Sequence, residues 1–308
     1  RIWLAYCKHR VHESTFSEEN GYELIFDDAQ QKQENQLTAI RNFIQQEVDY
    51  IVLAPVTETG WDTVLQEAKD AGIPVIAYDR LIKSDAVSYY ISFDNYTVGT
   101  LQGQYVIDTL DLDNAGDKTY NIEFTAGDPA DNNAGYFFNG AYDTLKPYLD
   151  AGTLNVVSGQ TDFDSVATAA WDTQTALERM QNILASYYAD GTQLDVALCS
   201  NDSTALGVTQ AIESDYAGKN DVLITGQDGD EANLANIVDG KQSMTVYKAV
   251  ANEAVVLLTL QKQCWKVTQL MILWLQTPNG ISIVHMIQNP MKHLKDINAH
   301  HSFWFLQL

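Results

Sequence analysis

Six short apolar runs of the 308-residue sequence end in side chains that make several directional hydrogen bonds each. "PVIAY" is followed by Asp79 and Arg80, "SYYISF" by Asp94 and Asn95, and "EFTAGDPA" by Asp131, Asn132 and Asn133. "VALCS" leads into Asn201 and Asp202, "VLITGQ" into Asp228, and "MTVY" into Lys248. Carboxylates accept, Lys and Arg donate, and amides do both. Such a set can bridge the hydroxyls of a small polyhydroxyl ligand, each of which is donor and acceptor at once. The charged members make the stronger and more directional bonds. Trp171, Phe93 and Tyr136 are aromatic candidates for covering the apolar face of a sugar ring. Each group also has a plainer reading. Asp or Asn after a strand caps the next helix, Asp79-Arg80 can form an internal ion pair, Lys248 can be solvated, and Trp171 can be a core aromatic. Coincidence at six run ends favours a shared site.

The elements that would position these groups alternate regularly from residue 21 onward. Strand patterns are "YELIFDD", "YIVLAPV", "PVIAYD", "SYYISFD", "YNIEFTAG", "LNVVSGQ", "LDVALCS", "VLITGQD" and "SMTVYK". Between them lie helical-period segments over 35–46, 60–72 and 171–191. In the first, Leu37, Ile40, Phe43 and Ile44 share one face. Gly72 followed by Pro74 gives the second a stop signal. Strand–helix alternation predicts parallel sheets built from right-handed βαβ units. The number of strands predicts two sheets, with a boundary near residue 118 in "LDLDNAGDKT". In open parallel sheets, ligands bind outside the carboxyl ends of the strands, where the six polar endings fall.

Composition narrows the function. The chain is long enough for two domains. A net charge of −23 argues against a phosphate-backbone surface, and with it a nucleic-acid partner. Cys7, Cys199 and Cys264 show no CxxC spacing and read as unpaired or buried thiols. No phosphate loop, dinucleotide fingerprint or G-x-S-x-G elbow is present. "GQDGD" lacks the register of a calcium loop, and His300-His301 has no spaced acidic partner, so neither a metal nor a cofactor is expected. Arg1 leads straight into "IWLAY", so any secretory signal is expected to be already removed or never present, and "LMILWLQ" is far shorter than a membrane span.

Residues 259–308 contrast with the rest. They contain only Asp296 of the 41 acidic residues, yet hold four of the six His and three of the six Trp. No βα rhythm continues there. A separate element or a shifted reading frame would leave such a break.

"AYDRLI", "YYISFDN", "GDPADNNAGYFFNGAYDTLKPYLDAGTL", "VVSGQ", "WDTQTALERMQNIL" and "ITGQD" together resemble the substrate-binding proteins of bacterial sugar ABC transporters. The multiple-monosaccharide and xylose-type binders are the nearest group. "DDAQQKQENQ" and "APVTETGWDTVLQEAKDA" also resemble galactofuranose binders. The likeness covers about residues 18–258. It implies the type I periplasmic binding protein fold: α/β, two Rossmann-like lobes with parallel sheets joined by a hinge. The lobes implied are 1–118, with 249–265 returning to it, and 119–248, leaving 266–308 as an atypical tail. It further implies a monomer that captures a monosaccharide (xylose, glucose, galactose or similar) between the lobes and delivers it to an ABC permease. By the same resemblance, Asp79 and Arg80 are the first-lobe ligand pair, followed by Asp94 and Asn95. Asp131, Asn132 and Asn133 form a second-lobe cluster, joined by Trp171, Asn201, Asp202, Asp228 and Lys248. The place implied is periplasmic, or extracellular through a lipid anchor at the cell surface. The sequence departs from the family in "YCKHRVHES" after the first strand, in Ala170 before Trp171, and after Leu258.

Two other classes remain open on the residues alone. One is the sugar-sensing core of a transcription regulator, or a chemoreceptor partner. The other is a carbohydrate-active enzyme, which needs two carboxylates at set separation. No enzyme activity is expected.

Overall fold

Val75–Tyr78 and Val196–Cys199 are apolar and buried at every position, as parallel strands covered on both faces must be. In the computed structural model both lie inside sheets. The structure describes residues 2–5, 23–218, 220–250, 253, 271–277 and 280–288. The chain divides into two units, residues 1–93 with 249–308 and residues 94–248.

In the first unit the strands are β1 (Ile2–Ala5), β2 (Leu24–Asp27), β3 (Tyr50–Leu53), β4 (Val75–Tyr78), β5 (Tyr89–Phe93), β10 (Met271–Thr277) and β11 (Gly280–Gln288). Among the described residues the sheet order is β10-β11-β5-β4-β3-β1-β2. β2 through β5 run parallel, whereas β10 and β11 form an antiparallel hairpin whose second strand pairs with β5. Periodicity places no βα unit after Leu258, and the described residues there are this hairpin. Of the returning segment 249–265, only 249, 250 and 253 are described. Helices α1 (Gln33–Gln45) and α2 (Asp62–Asp70) bring Ala39, Ile40, Phe43, Val64, Leu65 and Ala68 against Ile51, Leu53 and Ala77 of the sheet. Full burial of each large aliphatic side chain there contributes about 1.5–3 kcal/mol. Gln36, also buried, holds the turn after β3: its Nε2 donates to Ala54 O at 2.8 Å and its Oε1 accepts from Val56 N at 3.1 Å.

The second unit holds a four-stranded parallel sheet in the order β7-β6-β8-β9, made of β6 (Tyr120–Thr125), β7 (Leu154–Asn155), β8 (Val196–Cys199) and β9 (Leu223–Ile224). Its helices are α3 (Asn95–Leu110), α4 (Asn132–Ala151), α5 (Phe163–Val166), α6 (Thr173–Tyr187), α7 (Asp202–Asp215) and α8 (Glu231–Val238). The division precedes the boundary expected near residue 118 because α3 is locked to α4. A Cβ added at Gly99 would lie 2.0 Å from Phe137 O, and one at Gly140 2.0 Å from Tyr96 O. Only glycine permits so close a crossing of two helix backbones.

Two strand readings shorten for local reasons. "LNVVSGQ" leaves the sheet after Asn155, and Ser158 N donates instead to the Glu123 carboxylate at 3.0 Å. "SMTVYK" forms an isolated bridge, Gln227 with Val246, rather than a strand. Its neighbours Gln242 and Thr245 point inward to Asp202.

Candidate functional site

In the first unit the carboxyl end of β4 delivers Asp79 and Arg80. Asp79 has φ 60°, uncommon for a residue with a side chain. Three bonds hold this turn: Asp79 N to Ile91 O at 2.8 Å, Ser92 Oγ to Asp79 O at 2.8 Å, and Arg80 N to Tyr78 O at 2.7 Å. The backbone is thereby stitched to β5, and both side chains stay half-buried rather than enclosed. An orientation set by the backbone costs the ligand little ordering entropy.

In the second unit, the loop after β6 and the start of α4 carry the densest group. Asp131 is the N-cap of α4: one carboxylate oxygen accepts from Asn133 N at 3.0 Å and the other from Trp171 Nε1 at 3.2 Å. The indole lies flat against Gly127, where an added Cβ would sit 1.9 Å from its outermost ring carbon. Phe137 meets it edge-on, with centroids 6.1 Å apart at 65°. The ammonium of Lys248 stands 5.4 Å from the centre of the Phe137 ring and 3.7 Å from Asp228 Oδ1. Asp131, Trp171, Asp228 and Lys248 are therefore brought together, with Phe137 as the link. Neither Phe137 nor Gly127 stands out in the sequence. The neighbouring Tyr136, one of the three aromatic candidates, is instead exposed. Phe93 ends β5 in the first unit, half-buried.

Backbone strain marks the same places. Asp228 has φ 108°, and Ala170 and Trp171 both have φ 55°. Such conformations persist only where surroundings impose them, and they concentrate at binding sites.

Other expected site residues do capping work. Asp94 caps α3, accepting from Thr97 N at 3.0 Å and Thr97 Oγ1 at 2.8 Å. Asn201 caps α7, accepting from Thr204 N and Oγ1 at 3.0 and 2.9 Å. Asn95 and Asn133 are buried near the starts of α3 and α4, and Asn132 is half-buried beside Asn133. Asp202 departs from its expectation. It is wholly buried, and its carboxylate is taken up by Gly229 N, Asp230 N, Gln242 Nε2 and Thr245 Oγ1. Burial pushes that carboxyl above the usual aspartate range, against the pull of its donors.

A buried polar cluster backs the site. Glu123 on β6 accepts from Ser158 and from Tyr188 OH at 2.8 Å. Arg179 on α6 donates to Phe124 O at 2.9 Å, to Thr125 Oγ1 at 3.3 Å and to Gln160 Oε1. These bonds tie the carboxyl end of β6 to α6 and to the loop leading toward Trp171. Burial raises the Cys199 thiol far above its ordinary range, leaving it protonated and inert. Among the described residues no cluster of His, Cys, Asp and Glu could hold a metal ion. Cys7, Cys264, His300 and His301 lie outside those residues. No described helix is long and apolar enough to cross a membrane.

An indole face beside carboxylate, amide and ammonium groups can cover one apolar ring face and bond hydroxyls at its rim. A family model described as a periplasmic binding protein domain matches residues 14–264. The multiple sugar-binding periplasmic protein SbpA of Azospirillum brasilense is 40% identical over 232 residues, 74% of this chain and 64% of that protein. The D-xylose-binding periplasmic protein of Escherichia coli is 37% identical over 235 residues, covering 76% and 66%. The chain thus spans slightly less than two thirds of these relatives' lengths. A solved ABC transporter solute-binding protein from Clostridium phytofermentans, with bound β-D-glucose, is 40% identical with a TM-score of 0.82 over 98% of both chains.

Proposed function

Because the chain belongs to the periplasmic binding protein domain family, we propose that it is a non-catalytic receptor for a monosaccharide, serving an ABC-type sugar importer. The observation that carries this is the Trp171 indole, laid on Gly127 and fixed by Asp131 beside the Lys248–Asp228 pair. Such a surface suits the two chemistries of a sugar: an apolar ring face and a rim of hydroxyls. Asp131, Asn132, Asn133, Asp228 and Lys248 are the hydrogen-bonding groups of the second unit, and Asp79 and Arg80 are those of the first. Asp94, Asn95 and Asn201 shape the helix starts from which those bonds are made. The names of the relatives favour a transport receptor over the sensing core of a regulator. In this reading the protein works as a monomer outside the cytoplasmic membrane, free or lipid-held, and its partner is a permease.

The test is a thermal melt against xylose, glucose, galactose, arabinose and ribose. A sugar that binds only the folded state adds RT ln(1 + [L]/Kd), about 2.7 kcal/mol at a hundredfold excess over Kd. One sugar should raise the midpoint clearly, and Arg80→Ala should diminish that rise. A cooperative melt that none of the sugars moves would overturn the proposal, as would turnover of a nitrophenyl glycoside.

A further inference from the structure

Asp202 is the first residue of α7, and its carboxylate bonds run to the chain around Asp228 and before Lys248. Its Oδ2 accepts from Gly229 N and Asp230 N, each at 2.9 Å, and from Thr245 Oγ1 at 3.0 Å. Its Oδ1 accepts from Gln242 Nε2 at 3.1 Å, while its own amide donates to Gln227 O at 2.8 Å. The amide of Gln242 is oriented by two further bonds, to Met244 O at 3.0 Å and from Asn233 Nδ2 at 2.8 Å. One buried residue therefore grips the chain on both sides of Asp228, and grips the segment that leads to Lys248. Asp228 is held between these grips at φ 108°. A Cβ at Gly226 would fall 2.1 Å from Asp202 Oδ1, so the carboxylate fills a space that only glycine leaves.

We propose that Asp202 is a positioning residue for sugar binding. By fixing Gly229, Asp230 and Thr245 it holds Asp228 and Lys248 at the separation of 3.7 Å in which they meet the ligand. This rests on the sugar-binding role proposed above for Asp228 and Lys248. Asparagine has nearly the same shape but replaces one acceptor oxygen with a donor. In either orientation Asp202→Asn turns that donor toward another donor, Gln242 Nε2 on one side or the Gly229, Asp230 and Thr245 groups on the other.

The test is a double-mutant cycle on the full chain, with affinity for whichever of the five sugars shifts the melt read by calorimetry and folding by the melt without sugar. Asp202→Asn should weaken binding by about tenfold or more, the scale set by loss of hydrogen bonds to a charged group. Asp228→Asn should weaken it as well. Asp202→Asn should cost less affinity in the Asp228→Asn background than in the wild type, because residues acting through one another are not additive. Multiplying factors would mean a merely structural role and would overturn the inference, as would wild-type affinity in a folded Asp202→Asn. If Asp202→Asn fails to fold, Thr245→Val runs the same cycle. It removes the hydroxyl that donates to Asp202 and accepts from Gly229 N at 3.2 Å. Wild-type affinity in Asp228→Asn, or no binding of any of the five sugars by the unaltered chain, would overturn the site itself and the inference with it.

Discussion

Substituting Gly127 by alanine tests whether the indole platform carries ligand affinity. The new methyl would stand 1.9, 2.0 and 2.2 Å from three carbons of the Trp171 ring. Ordinary carbon contacts lie at about 3.5–4.0 Å, so the ring must retreat by well over an ångström. Retreat breaks the bond from Trp171 Nε1 to Asp131 and opens the contact with Phe137. A hydrogen bond to a charged group is worth about 1.5–3 kcal/mol, and an aromatic edge contact about 0.5–1.5 kcal/mol. Trp171 is only half-buried and can swing outward, so the loss falls mainly on binding rather than folding. Affinity for the sugar that shifts the melt should drop by about 30-fold or more, the equivalent of about 2 kcal/mol. Calorimetric titration measures it, and a sugar-free melt shows that the fold persists. Trp171→Phe supplies the control, because phenylalanine lacks the three clashing carbons. Gly127→Ala should then cost little further affinity in the Trp171→Phe background. Wild-type affinity in Gly127→Ala, or an equal loss in both backgrounds, would refute the reasoning.

Gly140→Ala forces a methyl to within 2.0 Å of the Tyr96 carbonyl, where backbone meets backbone and neither can yield. It should cost about 1–3 kcal/mol and lower the melting midpoint without loss of cooperativity, and an unchanged midpoint would show that the helices separate freely. Asp162 and Asp172 sit below the usual aspartate range, held there chiefly by the backbone N–H groups of Ser165 and Thr175. Their folded pKa values are depressed, so their stabilisation is fully present above the ordinary value of about 3.9 and is lost as pH falls below it through the folded value. Asp172→Ala should therefore melt lower than the wild type at pH 7, with the gap closing below about pH 4. A gap that does not change with pH would show that the carboxylate charge is irrelevant at that cap.

The apolar runs at Val75–Tyr78 and Val196–Cys199 and the helical face of Ile40 and Phe43 determine parallel βα architecture by themselves, because burial on two faces leaves a local signature. Asp79 and Arg80 follow β4 directly, as a polar group after an apolar run should, whereas Asp131 and Asp228 follow β6 and β9 only after several residues of loop. Their division of labour was not legible. Asp94 and Asn201 cap helices with the oxygens a ligand would otherwise engage, and sequence does not distinguish the two uses of one acceptor. Asp202 turns inward because the donors that claim it come from residues 229 to 245, far along the chain. Phe137 rather than Tyr136 meets Trp171 because the rotation of α4 is set by the glycine-mediated crossing with α3. Local composition determined which elements form, whereas contacts between residues distant in the chain decided which side chains face one another.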